Sequence, residues 1–108
     1  MTIRTLPQVP FKLASETLNV AVDMTERLAS GETLSGTPTI TASSTDITLS
    51  SKVVNSSTTN INGNSVAVGK AMQCAVAGGV AGNTYYMTFT CGTSASQTVS
   101  EVGAIEVR

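Results

Sequence analysis

The sequence predicts an all-β sandwich of about seven strands preceded by an extended N-terminal arm, and three observations carry that prediction. Charged residues are only 12% of the chain, about half the share usual in soluble globular proteins. Hydroxyls fill the gap, with 17 Thr and 13 Ser. Thr suits a pleated, half-buried surface and Ser suits turns, and neither sustains long helices. Apolar and polar residues also alternate along most of the chain, with turn signals roughly every 8–12 residues. The 108 residues match a common domain size and are too few for two independent cores. Residues 17–108 are therefore read as one domain and residues 1–16 as the arm.

Each element has its own local reason. Pro7 and Pro10 disfavour helix in the arm, which then carries the apolar pair Phe11 and Leu13. Such an arm drapes over its own domain or is donated to a neighbouring subunit, and the residues leave both open. From Thr17, Leu18, Val20 and Val22 alternate with Asn19, Ala21 and Asp23, which makes a half-buried strand. Residues 24–31 suffice for one helical turn stopped by Gly31, and read best as a long connection between strands. Residues 32–42 form a second, bent strand, interrupted near Gly36 and Pro38. Residues 46–54 form a third, with a kink between its halves. Ser, Thr and Asn fill 19 of the 31 positions from Ser35 to Ser65, yet the regularly placed Ile and Val argue for strands with a hydroxyl-rich outer face.

Asn62-Gly63 is the sharpest turn signal, because both residues accept the positive φ of a type I′ hairpin, and Ile61 and Val66 flank it. Val66 and Val68, then Met72, Cys74 and Val76, alternate up to Gly78-Gly79. A glycine-rich loop from Gly78 to Asn83 leads into the clearest strand, where Tyr85, Met87, Phe89 and Cys91 face one way and Tyr86, Thr88 and Thr90 the other. The last strand, 98–107, sets Val99, Ile105 and Val107 on one face with a bulge expected at Gly103. Seven strands at this spacing fit an immunoglobulin-like Greek key.

Charge and chemistry exclude several classes of function. Six basic and seven acidic residues give a net charge of −1, with no basic stripe for nucleic acid or an anionic membrane. No segment approaches the roughly 20 apolar residues needed to span a bilayer, and the N-terminus lacks the build of a signal peptide. Folding in a cytosol is the expectation, which favours two buried thiols at Cys74 and Cys91 over a disulfide. Histidine and tryptophan are absent, which removes the commonest general base and metal ligand. Asp23, Glu26, Glu32, Asp46, Glu101 and Glu106 read as solvated surface charge instead of a paired acid and base. Two cysteines do not complete a zinc site, and Gly78-Gly79-Val80-Ala81-Gly82 lacks the Lys-Ser/Thr ending of a phosphate loop. Asn55-Ser56-Ser57 matches a glycosylation acceptor by chance in so Ser-rich a chain. No catalytic, cofactor-binding or metal-binding residue is assigned, and no small-molecule ligand. Tyr85 resembles the structural tyrosine corner of sandwich domains. Tyr86, on the outer face, is the candidate contact residue. The four aromatics Phe11, Tyr85, Tyr86 and Phe89 are mostly committed to the core, which counts against a sugar-binding module.

Several segments resemble a known group. Leu18-Asn19-Val20-Ala21-Val22-Asp23, then Leu28-Ala29-Ser30-Gly31-Glu32-Thr33-Leu34, then Val80-Ala81-Gly82-Asn83-Thr84-Tyr85-Tyr86-Met87-Thr88-Phe89 and the ending Ile105-Glu106-Val107-Arg108 occur in that order. They are similar to immunoglobulin-like virion proteins of tailed bacteriophages, of the fibre-tail adaptor type, over residues 17–108. The resemblance implies a non-catalytic structural protein assembled in the host cytoplasm into the neck or tail of the virion, as a homo-oligomeric ring. It would link fibres or other appendages to the portal, adaptor or tail tube. A capsid decoration (cement) protein is the alternative it leaves open. The arm and the missing core Trp depart from the pattern.

Overall fold

The computed structural model describes residues 3–5, 11–61 and 63–108. Nine strands run in chain order: β1 (Ile3–Thr5), β2 (Leu18–Asp23), β3 (Leu34–Ala42), β4 (Ile47–Val54), β5 (Thr59–Ile61), β6 (Asn64–Val66), β7 (Ala71–Gly78), β8 (Thr84–Thr93) and β9 (Thr98–Glu106). One 3-10 turn, Thr25–Arg27, lies in the connection after β2. The strands form a four-stranded sheet in the order β1-β2-β7-β4, a three-stranded sheet in the order β3-β8-β9, and the separate hairpin β5-β6. Pairing is antiparallel except between β1 and β2, which run parallel. Without the hairpin, this is the order of a seven-stranded A-B-E-D sheet against C-F-G, and it is compatible with an immunoglobulin-like Greek key.

The core follows from the period of two. Leu18, Val20 and Val22 of β2, Met72, Cys74 and Val76 of β7, and Ile47 of β4 face Leu34 and Ile40 of β3, Tyr85, Met87, Phe89 and Cys91 of β8, and Ile105 with Val107 at the end of the chain. Each fully buried aliphatic or aromatic side chain contributes about 1.5–3 kcal/mol. The expected break in the second strand is a register shift between Ser35 and Thr39 in β3. The expected kink in the third is another between Ser50 and Val53 in β4, where Ser51 has φ 54°.

Three expectations are corrected. β9 keeps an unbroken register with Gly103 opposite Met87, so there is no bulge at Gly103. Gly103 is buried there, opposite the buried Met87. Residues 66–76 are not one strand: the chain leaves β6 at Val66, turns, and starts β7 at Ala71. β2 is more than half-buried, because Ala21 on its outer face packs with Ile61, Val66 and Ala71 under the hairpin. That small second core is why β5-β6 stays on the sandwich. Gly63, at φ 85°, occupies the two-residue loop between paired Ile61 and Asn64, while Asn62 itself lies outside the described residues.

The segment before β2 is fastened at two points. β1 lies along β2 with Ile3, Arg4 and Thr5 opposite Asn19, Val20 and Ala21. Lys12 then bridges Val107 in parallel, its N–H donating to the Glu106 carbonyl and its carbonyl accepting from the Arg108 N–H, both at 2.8 Å. Pro7 and Pro10 lie outside the described residues.

Candidate docking surfaces

Tyr85 is built into the corner between β7 and β8. Its hydroxyl accepts from the Val80 N–H at 2.9 Å, five residues upstream, and donates to Asp46 Oδ2 at 2.9 Å, with Asn83 Nδ2 at 3.4 Å. A buried phenol needs a partner, and here one hydroxyl joins the Gly78–Gly82 loop to the start of β4. The loop itself requires glycine. At Gly78 (φ +81°) a Cβ would stand 2.5 Å from the Asp46 carbonyl oxygen, and at Gly79 (φ +97°) it would stand 2.8 Å from Val107 Cγ2. The glycines therefore serve close packing in a corner.

Lys12 is fully buried, while its neighbours Phe11 and Leu13 are 38% and 45% exposed. The buried residue is thus the lysine between the two apolar side chains. The ammonium donates to the carbonyls of Gly78 at 2.6 Å, Leu13 at 2.9 Å and Ala14 at 3.3 Å, so all three protons are used. Desolvation pushes the Lys12 pKa down, partly opposed by Glu16. Phe11 stays outside beneath Arg108, whose guanidinium carbon lies 4.3 Å from the ring centroid. Nothing in the pattern Phe-Lys-Leu signals a buried lysine, because its shortest bond goes to a carbonyl 66 positions away.

Glu32 corrects the reading of the carboxylates as surface charge, since it is buried. Its Oε2 accepts from Thr93 Oγ1 at 2.6 Å and its Oε1 from the Ala29 N–H at 2.8 Å, while the Lys70 ammonium donates to its main-chain carbonyl. The Thr93 bond, then the Ala29 N–H, hold its carboxyl below the usual range against desolvation, with Lys70 helping. The Leu-Ala-Ser-Gly-Glu-Thr-Leu segment is thus a turn closed on its own glutamate. Asn55, the residue of the chance glycosylation triplet, is also buried. Its Nδ2 donates to the Ser57 and Ala67 carbonyls and its Oδ1 accepts from the Lys70 and Ala71 N–H groups, which clamps the base of the hairpin.

Cys74 and Cys91 are buried free thiols. Desolvation pushes Cys74 up to about 11 and raises Cys91 as well, which keeps both protonated and poor nucleophiles. Among the described residues there is no group of three or more potential metal ligands, and no helix is long and apolar enough to cross a membrane.

Surfaces remain where reactive groups do not gather. The outer face of β3-β8-β9 carries Thr39, Thr41, Tyr86, Thr88, Thr90, Ser100, Val102 and Ala104 in register, none of them charged. Tyr86 and Val102, 55% and 54% exposed, sit diagonally across the β8-β9 pair, and the Thr90 and Ser100 hydroxyls meet at 2.9 Å. Glu106 at the end of this face is already paired with Arg108 at 3.1 Å. A shallow groove of about 390 Å³ opens between β3 and β4, lined by Ile40, Ala42, Ile47, Leu49, Lys52 and the hydroxyls of residues 41–45. No aromatic lines it, so it offers no platform on which a sugar ring stacks, and Tyr86 stands outside it.

A search of curated proteins returned no match, and a search of solved structures returned none either. A family model does match, and it spans residues 12–106, from the buried lysine to the last residue of β9. By that match the chain belongs to the Gp77 family, described as the podophage GP4 fiber-tail adaptor protein gp77.

Proposed function

We propose that this protein is a non-catalytic adaptor in the neck or tail of the virion, assembled in the host cytoplasm as a homo-oligomeric ring that links fibres or other appendages to the portal or tail tube. The observation that carries the reading is the family match over residues 12–106. The surface is in keeping with it. An uncharged, hydroxyl-rich sheet face with two exposed apolar side chains suits extended contact with a protein neighbour. In this reading residues 17–108 are the docking domain, residues 1–16 are the arm, and no residue has a catalytic, cofactor or metal role.

Quantitative mass spectrometry of purified particles, paired with a cryo-electron map of neck and tail, tests it. A closed ring of copies at the portal or tail is the expected result. Hundreds of copies on the head would make the protein a decoration protein instead, and its absence from the particle would end both readings.

A further inference from the structure

We propose that the groove between β3 and β4 binds an extended segment of a partner protein that carries a carboxylate side chain, held against Lys52. Only the identity of the protein that supplies the segment rests on the adaptor reading; the chemistry stands on the groove itself.

β3 and β4 are outer strands, each paired on one side only, β3 with β8 and β4 with β7. Between them the two sheets part, and Ile40, Ile47 and Leu49 supply the apolar floor of the opening. From Ile47 to Lys52, allowing one residue for the bulge in β4, the floor runs about 13 Å, the reach of four or five extended residues. The outward main-chain groups of an edge strand are an unfilled ladder, so the occupant that fits is itself extended.

A bulge sets the charge in this opening. Ser50 pairs with Ala75 and Val53 with Gln73, so two residues, Ser51 and Lys52, face the single Cys74. Cys74 belongs to the core, and Leu49 and Val54 on either side of the bulge pack against that core. The extra residue therefore carries Lys52 to the groove side of the strand, where its charge is felt at the Cys74 thiol. This is achieved with Ser51 at φ 54°, a left-handed conformation that disfavours a residue with a Cβ. Without the bulge, Ser51 would take the inward place and Lys52 would point to solvent.

Lys52 has no counter-charge. Lys12 donates to three carbonyls, Arg27 pairs with Glu101, Lys70 donates to the Glu32 carbonyl and Arg108 pairs with Glu106. Among the described residues Lys52 has neither an ionic nor a hydrogen-bonded partner, and no carboxylate lines the groove. Asp46, close by in sequence, is engaged by the Tyr85 hydroxyl. The rim adds donors: Ser43 Oγ accepts from the Tyr86 N–H and Ser44 Oγ from the Asp46 N–H, so each keeps its own proton to give. A lysine at an inward place of an edge strand repels an apolar strand, because docking would bury the ammonium unpaired. A strand with Asp or Glu opposite it removes that cost. One residue thus refuses the wrong segment and admits the right one.

The test titrates the isotope-labelled full chain with the capped peptide Ser-Val-Thr-Glu-Thr-Val-Ser, whose Val, Glu and Val side chains share one face, and with its Gln counterpart. Amide NMR shifts are expected at the groove residues 40–52. The Glu peptide should bind about tenfold more tightly than the Gln peptide, a difference lost in Lys52→Gln. Lys52→Glu should instead prefer the Lys counterpart, a reversal that a merely structural loss at this position does not produce. Equal affinity for the Glu and Gln peptides, shifts elsewhere, or no shift at millimolar peptide would each overturn the proposal. Groove shifts that follow protein concentration without peptide, and vanish when the exposed Glu26 of the 3-10 turn is changed to Gln, would seat a second copy there and end it too. On purified particles, carbodiimide coupling read by peptide mass spectrometry should join Lys52 to an Asp or Glu of another protein. A chain present in the particle without that linkage removes the groove and leaves the adaptor reading standing. A chain absent from the particle ends the adaptor reading, while the peptide titration still decides the groove.

Discussion

At the scale of single residues, the groups that organise this domain are polar and buried. Tyr85→Phe removes one hydroxyl but strands the Val80 N–H and the Asp46 carboxylate that it joined. A loss of about 1–3 kcal/mol is expected in urea unfolding. Asp46→Asn, which keeps an acceptor, should cost less. Glu32 supplies an acid-dependent term. Its carboxyl is held low in the folded protein by Thr93 and Ala29, so its contribution is fully present above its ordinary value of 4.5 and is lost as pH falls through the lowered folded value. Unfolding midpoints measured between pH 3 and pH 6 should therefore drop more steeply for the wild type than for Glu32→Gln, and the two curves should converge at the acid end. Parallel curves would show that the Glu32 charge is not held by these bonds.

At the scale of elements, the Gly78–Gly82 corner separates backbone strain from collision. Gly78 and Gly82 both sit at positive φ, but a Cβ at Gly82 meets open space whereas one at Gly78 meets the Asp46 carbonyl oxygen at 2.5 Å. Both alanine variants pay about 1–2 kcal/mol for the left-handed conformation, and Gly78→Ala should lose at least about 2 kcal/mol more, read from thermal or urea unfolding. Equal losses would mean that β4 simply moves aside. The strands themselves were largely legible in the sequence, because each is covered on one face and the period of two survives in Tyr85 to Cys91 and in Leu18 to Val22. The hairpin turn was legible through Asn62-Gly63, but not the cover it gives to Ala21, since an alanine between valines carries no mark of which face is roofed. β1 was legible only as an arm: three residues in parallel register have no local pattern. The candidate surface was half legible. Tyr86 stood out by alternation, while Lys12, Glu32 and Asn55 did not, because each needs at least one partner distant in sequence: the Gly78 carbonyl, the Thr93 hydroxyl, and the Ala67 carbonyl with the Lys70 and Ala71 N–H groups.

At the scale of the whole molecule, the ion pairs among the described residues lie at the surface, Arg27 with Glu101 and Arg108 with Glu106, while Lys12 and Glu32 are held inside. In the proposed adaptor role the chain would also bear tension, and the way Lys12 meets Val107 sets how. The two run parallel, so a pull that draws residue 11 and residue 108 apart acts along the strands. The Lys12 N–H to Glu106 bond, the Arg108 N–H to Lys12 bond and the ammonium on Gly78 are then loaded together, as in shear, instead of opening one after another. In single-molecule stretching between handles at the two ends, Lys12→Ala should lower the peak unfolding force well beyond its effect on equilibrium stability; a force unchanged by the substitution would place the load elsewhere. A buried lysine is then the bolt that keeps residues 11–13 from sliding along the end of the chain.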